Sequence, residues 1–235
     1  MKIMVINPNS SKEMTHSIRT ALEKIRRPDT ELTVTCPDKG PIEISSAYDE
    51  TLAAYYMMDI VRKANQDGYD AVIVACFSDP GLVPAKEISD ILVVGIQEAS
   101  MHVASTLGYK FTILTPGAKR IPSKYNDAWR NKLPYNLASV RPLGLTVTET
   151  DANPDLAQKR ILEVAKQAVE EDNAEVIVLG CAGMVGYAEK AAKELGVVVI
   201  DPTSTAFKYT EALVDLGLTH SKRALFAQPS DKEYL

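Results

Sequence analysis

Cysteine is scarce: the 235 residues hold three, Cys36, Cys76 and Cys181, far apart in the chain. A disulfide framework is therefore not expected, and a reducing, cytoplasmic setting is. No CxxC pair occurs and His16, His102 and His220 are scattered, which argues against a zinc site. No apolar run approaches the ~18 residues of a membrane span. Basic residues cluster only briefly, at Lys24, Arg26 and Arg27 and at Lys222 and Arg223, within a net charge of −5. Nucleic acid, which needs a concentrated basic face, is not an expected partner. The glycine-rich GCAGMVG (180–186) is spaced GxxGxxG rather than GxGxxG, and the chain has neither a GK[ST] loop nor a GxSxG elbow. Dinucleotide, phosphate-loop and serine-hydrolase sites are thereby set aside. The opening MKIMVINPNSS has too short an apolar run for a secretory signal and reads as a first strand.

What is present suits a globular chain: 46% hydrophobic and 24% charged residues, enough to build a core. Six short runs rich in β-branched residues stand at 3–6, 71–75, 91–96, 111–114, 175–179 and 197–200. Each is continuous rather than alternating, the pattern of strands buried on both faces of a parallel sheet. Segments 10–25, 49–64 and 156–169 carry helical spacing, with polar cap candidates opening the first. Strands alternating with helices predict an α/β fold with right-handed crossovers. Region 117–154, with Pro122, Pro134, Pro142 and Pro154, reads as irregular turns around one short helix near 123–132.

The chain also repeats. YDAVIVAC (69–76) and AEVIVLGC (174–181) superpose with cysteine on cysteine, 105 residues apart. ILVVGI (91–96) and LGVVVI (195–200) follow in step, and KIMVINP (2–8) matches KFTILTP (110–116). Three elements in one order at nearly one offset predict two pseudo-symmetric α/β domains. The expected division is residues 1–97 with 208–235, and residues 98–207. Helix 98–107 would lead out of the first half and 203–217 back to it, so the tail 222–235 is expected to pack on that first half.

Ligands of parallel α/β sheets bind beyond the carboxyl ends of the strands. Cys76 and Cys181 both fall there, followed by turns, CFSDPG and CAGM. Two thiols facing one cleft suit inversion of a stereocentre, which needs a base on one face of a carbon and an acid on the other. Cysteine fits because its pKa can be tuned towards neutrality. Gly81 and Gly183 would let backbone N–H groups approach a developing enolate oxygen. Cys36, by contrast, reads as a small buried hydrophobe. In Asn7-Pro8-Asn9-Ser10-Ser11 one residue is expected to cap the next helix, leaving Asn9 free to bond a substrate carbonyl or amide. Asp79 reads as a cap or turn residue. Glu98 and Asp201, at matching strand ends, are caps or orienting groups.

These residues resemble the aspartate/glutamate racemase superfamily, and more closely its hydantoin and allantoin racemase branch. The resemblance runs through INPNSS (6–11), GPIEISSAYDE (40–50), ACFSDPGL (75–82), GIQEASMH (95–102), LGCAGM (179–184) and DPTS (201–204). It implies paired α/β domains with the active site in the cleft between them. No cofactor is implied, and Cys76 and Cys181 would be the catalytic acid and base. By the same resemblance Asn9, Ser10, Phe77, Ser78, Gly183 and Met184 would line the substrate pocket, with Ile44 and Ser45 helping to close it. A homo-oligomer is consistent with that branch.

Departures from the pattern refine the expectation. Amino-acid racemases of the superfamily usually carry Asp–Ser, Asn–Thr and Thr–His or Thr–Glu where this chain has Asn9–Ser10, Phe77–Ser78 and Ala182–Gly183. Groups suited to a carboxylate and an ammonium are replaced by apolar or small ones, which favours an uncharged ring such as a 5-substituted hydantoin or allantoin. Ser78 stands where the branch often has glycine, and DPTS replaces its common DGV, so the C5 substituent stays open. The alternatives are a racemase or isomerase of a small amino acid or dicarboxylic acid (aspartate, glutamate or maleate type), and a non-catalytic small-molecule sensor.

Overall fold

Branched side chains fit a pleated surface that is covered on both faces, and the strands form where Val, Ile and Leu accumulate. The computed structural model describes residues 1–230. In its first half β1 (Lys2–Ile6), β2 (Glu31–Thr35), β3 (Ala71–Val74) and β4 (Leu92–Gly95) pair in the order β2-β1-β3-β4. In the second, β5 (Phe111–Thr115), β6 (Leu137–Pro142), β7 (Val176–Leu179) and β8 (Val198–Ile200) pair as β6-β5-β7-β8. Adding four to each strand number of the first sheet gives the second, and every pairing is parallel. The repeat seen in sequence is thus a repeat of topology.

The first half of the chain also holds α1 (Lys12–Glu23), α2 (Ala47–Gln66), α3 (Leu82–Ile88) and α4 (Ile96–Leu107). The second has α5 (Ile121–Arg130), α6 (Val147–Ala152), α7 (Pro154–Asp172), α8 (Ala188–Leu195) and α9 (Pro202–Asp215). Successive strand residues point to opposite faces, and the core divides accordingly. Ile3, Val5, Ile73, Phe111, Ile113 and Val178 belong to one apolar cluster shared by both halves. Met4, Ile6, Val72 and Val74 pack outward with Met57 and Val61 of α2. Leu114, Ile177 and Leu179 pack outward with Ile161 and Ala165 of α7. The last helix of each half crosses over: α4 packs on β7 and β8, α9 on β3 and β4, and the two pack on each other.

Two strands depart from the expectation. In β2 only Val34 is buried, and β6 carries Ser139 and Arg141 among its apolar residues. Both are sheet edges that leave most of their residues partly exposed and so tolerate polar side chains, whereas β4, also an edge, is fully buried and keeps its apolar run. Region 117–154 is accordingly not a set of irregular turns around one helix. It holds a 3-10 turn (Ala118–Arg120), α5, β6 and α6.

The chain after α9 runs along β4. His220 Nε2 lies 2.8 Å from Val93 N and 2.9 Å from Val93 O, and Lys222 Nζ donates to the carbonyls of Lys86 and Glu87. Of the tail expected to pack on the first half, residues 231–235 lie outside the described residues. Among the described residues no helix is long and apolar enough to cross a membrane.

Candidate active site

Parallel strands bring their carboxyl ends to one side of a sheet, and here the segments after β1, β3, β5 and β7 meet in a single cavity of about 300 Å³. Both Cys76 and Cys181 line it, one from each half. The two are held alike. The Ala75 N–H donates to the Ile6 carbonyl at 2.8 Å, and the Gly180 N–H donates to the Leu114 carbonyl at 2.8 Å. Each cysteine therefore begins just where the chain leaves its sheet. At Gly180 a side chain is excluded, because a Cβ would lie 2.5 Å from the Leu114 carbonyl oxygen.

Burial pushes the Cys76 thiol up. The Ser78 hydroxyl, 3.4 Å from Sγ, and the Ser78 N–H pull it back, as does the charge of Lys124, while Glu50 adds to the rise. Cys36 is buried at the end of β2 and does not line the cavity.

After β1, Ser11 caps α1 by accepting from the Met14 N–H at 3.1 Å, so the capping task falls to one residue of the NPNSS run. Asn7 and Asn9 line the cavity. Asn9 Oδ1 accepts from Asn7 Nδ2 at 2.7 Å and from the Ser11 N–H at 2.9 Å, which fixes both amides. Ser10 is turned away: its N–H donates to the Pro41 carbonyl and its hydroxyl to the Gly40 carbonyl. It thereby fastens the loop that carries Glu43, Ile44 and Ser45 to the cavity rim.

Phe77 and Ser78 line the wall beside Cys76, whereas Gly183 and Met184 do not reach the cavity. Met184 is fully buried in the outer core of the second sheet. Gly81 also differs from the expectation. It has φ of +66° and opens α3, and a Cβ there would meet Ala54 and Met58 of α2, so its smallness serves packing rather than an enolate.

Asp79 accepts from the N–H groups of Gln97 and Glu98 at 3.1 and 2.8 Å and so caps α4. Burial, with the Glu98 carboxylate nearby, pushes its carboxyl up to about 7. Glu98 pairs with Lys86 at 2.6 Å. Asp201 caps α9 through the Thr203 and Ser204 N–H groups and also takes the Gly186 N–H at 3.0 Å. All three carboxylates hold turns and helix starts outside the cavity lining.

Sequence reading missed much of the second wall: Thr115, Gly117, Lys119, Arg120, Lys124 and Val147. The repeat held a usable signal, since the match of 2–8 with 110–116 puts Thr115 opposite Asn7 and Gly117 opposite Asn9. Arg120 and Lys124 gave none. Arg120 pairs with Glu50 of α2, and Lys124 Nζ with Asp127 Oδ2 at 3.1 Å. Among the described residues no three His, Cys, Asp or Glu side chains gather as a metal-ion set. The arrangement offers two thiols, one from each half, in one small and largely apolar cavity, which suits moving a proton to and from an uncharged carbon acid.

A family model described as Asp/Glu/Hydantoin racemase matches residues 3–210. The hydantoin racemase of Pseudomonas sp. (strain NS671) is 38% identical over 100% of this chain and 94% of its own length. The hydantoin racemase of Paenarthrobacter aurescens is 39% identical over 100% of both chains. The structure of allantoin racemase from Klebsiella pneumoniae superposes with a TM-score of 0.95 at 36% identity, over 99% of this chain and 95% of that one.

Proposed function

The chain belongs to the Asp/Glu/Hydantoin racemase family, and from that premise we propose that it racemises hydantoins substituted at C5, with Cys76 and Cys181 as acid and base. The family makes it an isomerase. One thiolate takes the C5 proton and becomes a thiol, while the C–H electron pair moves onto the C4 carbonyl oxygen as an enolate. The opposite thiol then gives its proton to the other face of C5 and the pair returns to carbon. The product is the mirror image, the thiol and thiolate have exchanged places, and no cofactor enters the balance. The observation that carries this reading is the presence of both cysteines on one cavity, contributed by different sheets.

The size of the cavity, about 300 Å³, suits a small ring. Its charges favour a neutral one. Arg120 is matched by Glu50 and Lys124 by Asp127, so two of its three cations already face carboxylates of the protein. Allantoin, a hydantoin with a ureido group at C5, meets the same description.

Polarimetry on single enantiomers of 5-alkyl hydantoins and allantoin, in deuterated buffer, tests the assignment. Rotation should decay to zero while deuterium enters C5. Turnover of aspartate, glutamate or maleate in place of hydantoins would overturn the substrate assignment. Saturable binding with neither decay nor exchange would make the protein a sensor.

A further inference from the structure

Buried polar atoms in a folded chain nearly always have a hydrogen-bond partner, so an exception asks for a reason. Among the described residues three buried side-chain atoms have none: Asn7 Oδ1, Gln158 Nε2 and Thr203 Oγ1. Gln158 lies on α7 and Thr203 in the first turn of α9, and neither lines the cavity, whereas Asn7 does.

Turning the Asn7 amide over does not help it. Nδ2 donates to Asn9 Oδ1 at 2.7 Å, to Thr15 Oγ1 at 3.1 Å and to the Ser11 carbonyl at 3.3 Å. A carbonyl only accepts, and Asn9 Oδ1 is itself held by the Ser11 N–H at 2.9 Å. The nitrogen therefore has to stand on that side, which leaves the oxygen as the unpartnered atom.

Its place in the fold puts Asn7 beside the chemistry. Ile6 of β1 stands opposite Val74 of β3, so Asn7 is level with Ala75, one residue before Cys76. Neighbouring acceptors are engaged. The Phe77 carbonyl takes Lys124 Nζ and Gln97 Nε2, and Glu50 takes Arg120. In the other half the residue matching Asn7 is Thr115, whose hydroxyl donates to the Gly117 carbonyl at 3.1 Å. A side-chain amide thus stands at this level on one wall only.

We propose that Asn7 is a specificity-determining residue whose Oδ1 accepts a hydrogen bond from N1–H of the hydantoin ring. The inference rests on the hydantoin reading above. N1 is bonded to C5, so the recognised group adjoins the carbon whose proton moves. A ring N–H gives the buried acceptor its missing partner, whereas a ring with no hydrogen there leaves it facing a second lone pair. Sites built around a hydrogen bond reject analogues that lack the donor for this reason.

The test compares racemic 5-isobutylhydantoin with racemic 5-isobutyloxazolidine-2,4-dione, the same ring with oxygen in place of N1–H. Titration calorimetry at pH 5, where both rings are neutral, gives a Kd for each, and a racemate undergoes no net reaction whether or not it turns over. The unmodified protein should bind the hydantoin about tenfold or more tighter than the oxygen ring. Asn7→Leu should bring the two Kd values together by weakening the hydantoin and sparing the oxygen ring. Neighbouring groups keep bonds in that variant, since Asn9 Oδ1 retains the Ser11 N–H and the Thr15 hydroxyl still donates to the Ser11 carbonyl. A purely structural role for Asn7 would weaken both rings alike and leave their ratio unchanged, which overturns the proposal. So do equal Kd values in the unmodified protein, a result that needs no variant and leaves the hydantoin assignment standing. Binding of neither ring would instead remove that assignment, and this inference with it.

Discussion

Glu50 on α2 and Arg120 after β5 form an ion pair across the mouth of the cavity, tying one half of the molecule to the other. Thr148 reinforces the same rim by donating to Glu43 Oε2 at 2.8 Å. Both ionic side chains are 23% exposed, so the cost of desolvating them offsets much of their attraction and the net contribution of the pair to folding is small, about 1 kcal/mol or less. Its larger effect should be on the shape of the entrance. Arg120→Ala is expected to raise KM several-fold while the melting temperature barely moves. Steady-state kinetics beside thermal melts check this, and an unchanged KM would deny the pair that role.

Replacing either cavity cysteine should separate exchange from inversion. Cys76→Ser and Cys181→Ser should each lower racemisation by about 10³-fold, the scale of losing a positioned acid or base. Each variant keeps one thiol, so each should still wash deuterium into C5 of one enantiomer, and the two should choose opposite enantiomers. Proton NMR of both enantiomers in deuterated buffer reads this directly. Cys36→Ser, outside the cavity, should racemise at the ordinary rate.

Gly180→Ala is expected to be costly despite its small size. The added methyl meets the Leu114 carbonyl, which is backbone of β5 and cannot turn aside. Overpacking of this kind costs about 1–3 kcal/mol and displaces the neighbouring residue, here Cys181. Urea unfolding and racemisation should therefore fall together, and normal values of both would mean that the sheet yields more easily than its hydrogen bonds suggest.

The raised Asp79 carboxyl has a defined consequence for stability. Its folded-state pKa of about 7 lies above the ordinary value of 3.8, so the folded protein holds that proton more tightly than the unfolded chain. The stabilisation is complete below about 4 and is lost as pH rises towards 7. Denaturant midpoints between pH 4 and pH 7 should decline, and Asp79→Asn should flatten that decline. An identical slope in the variant would place the titration elsewhere.

The inner strands are legible because each is covered on both faces, and continuous runs such as AVIV at 71–74 have no other comfortable place. β2 and β6 are hidden because these two edges are only partly buried and tolerate Glu31, Thr33, Ser139 and Arg141, unlike β4, an edge that is buried throughout. The cysteines are legible because the repeat aligns them with the same strand end. Lys124 is not, since nothing local announces that a lysine on α5 will reach the carbonyl of residue 77. Ser10 and Met184 show the converse. Adjacency to a site residue along the chain does not bring a side chain to the cavity when the backbone turns between them.

The exchange of α4 and α9 bears on how the molecule can come apart. Each sheet depends for part of its cover on a helix from the other, so neither half holds a finished core by itself. Expressed separately, the two fragments should be poor folders, yet mixed together they should complement one another. The intact chain should melt in one cooperative step.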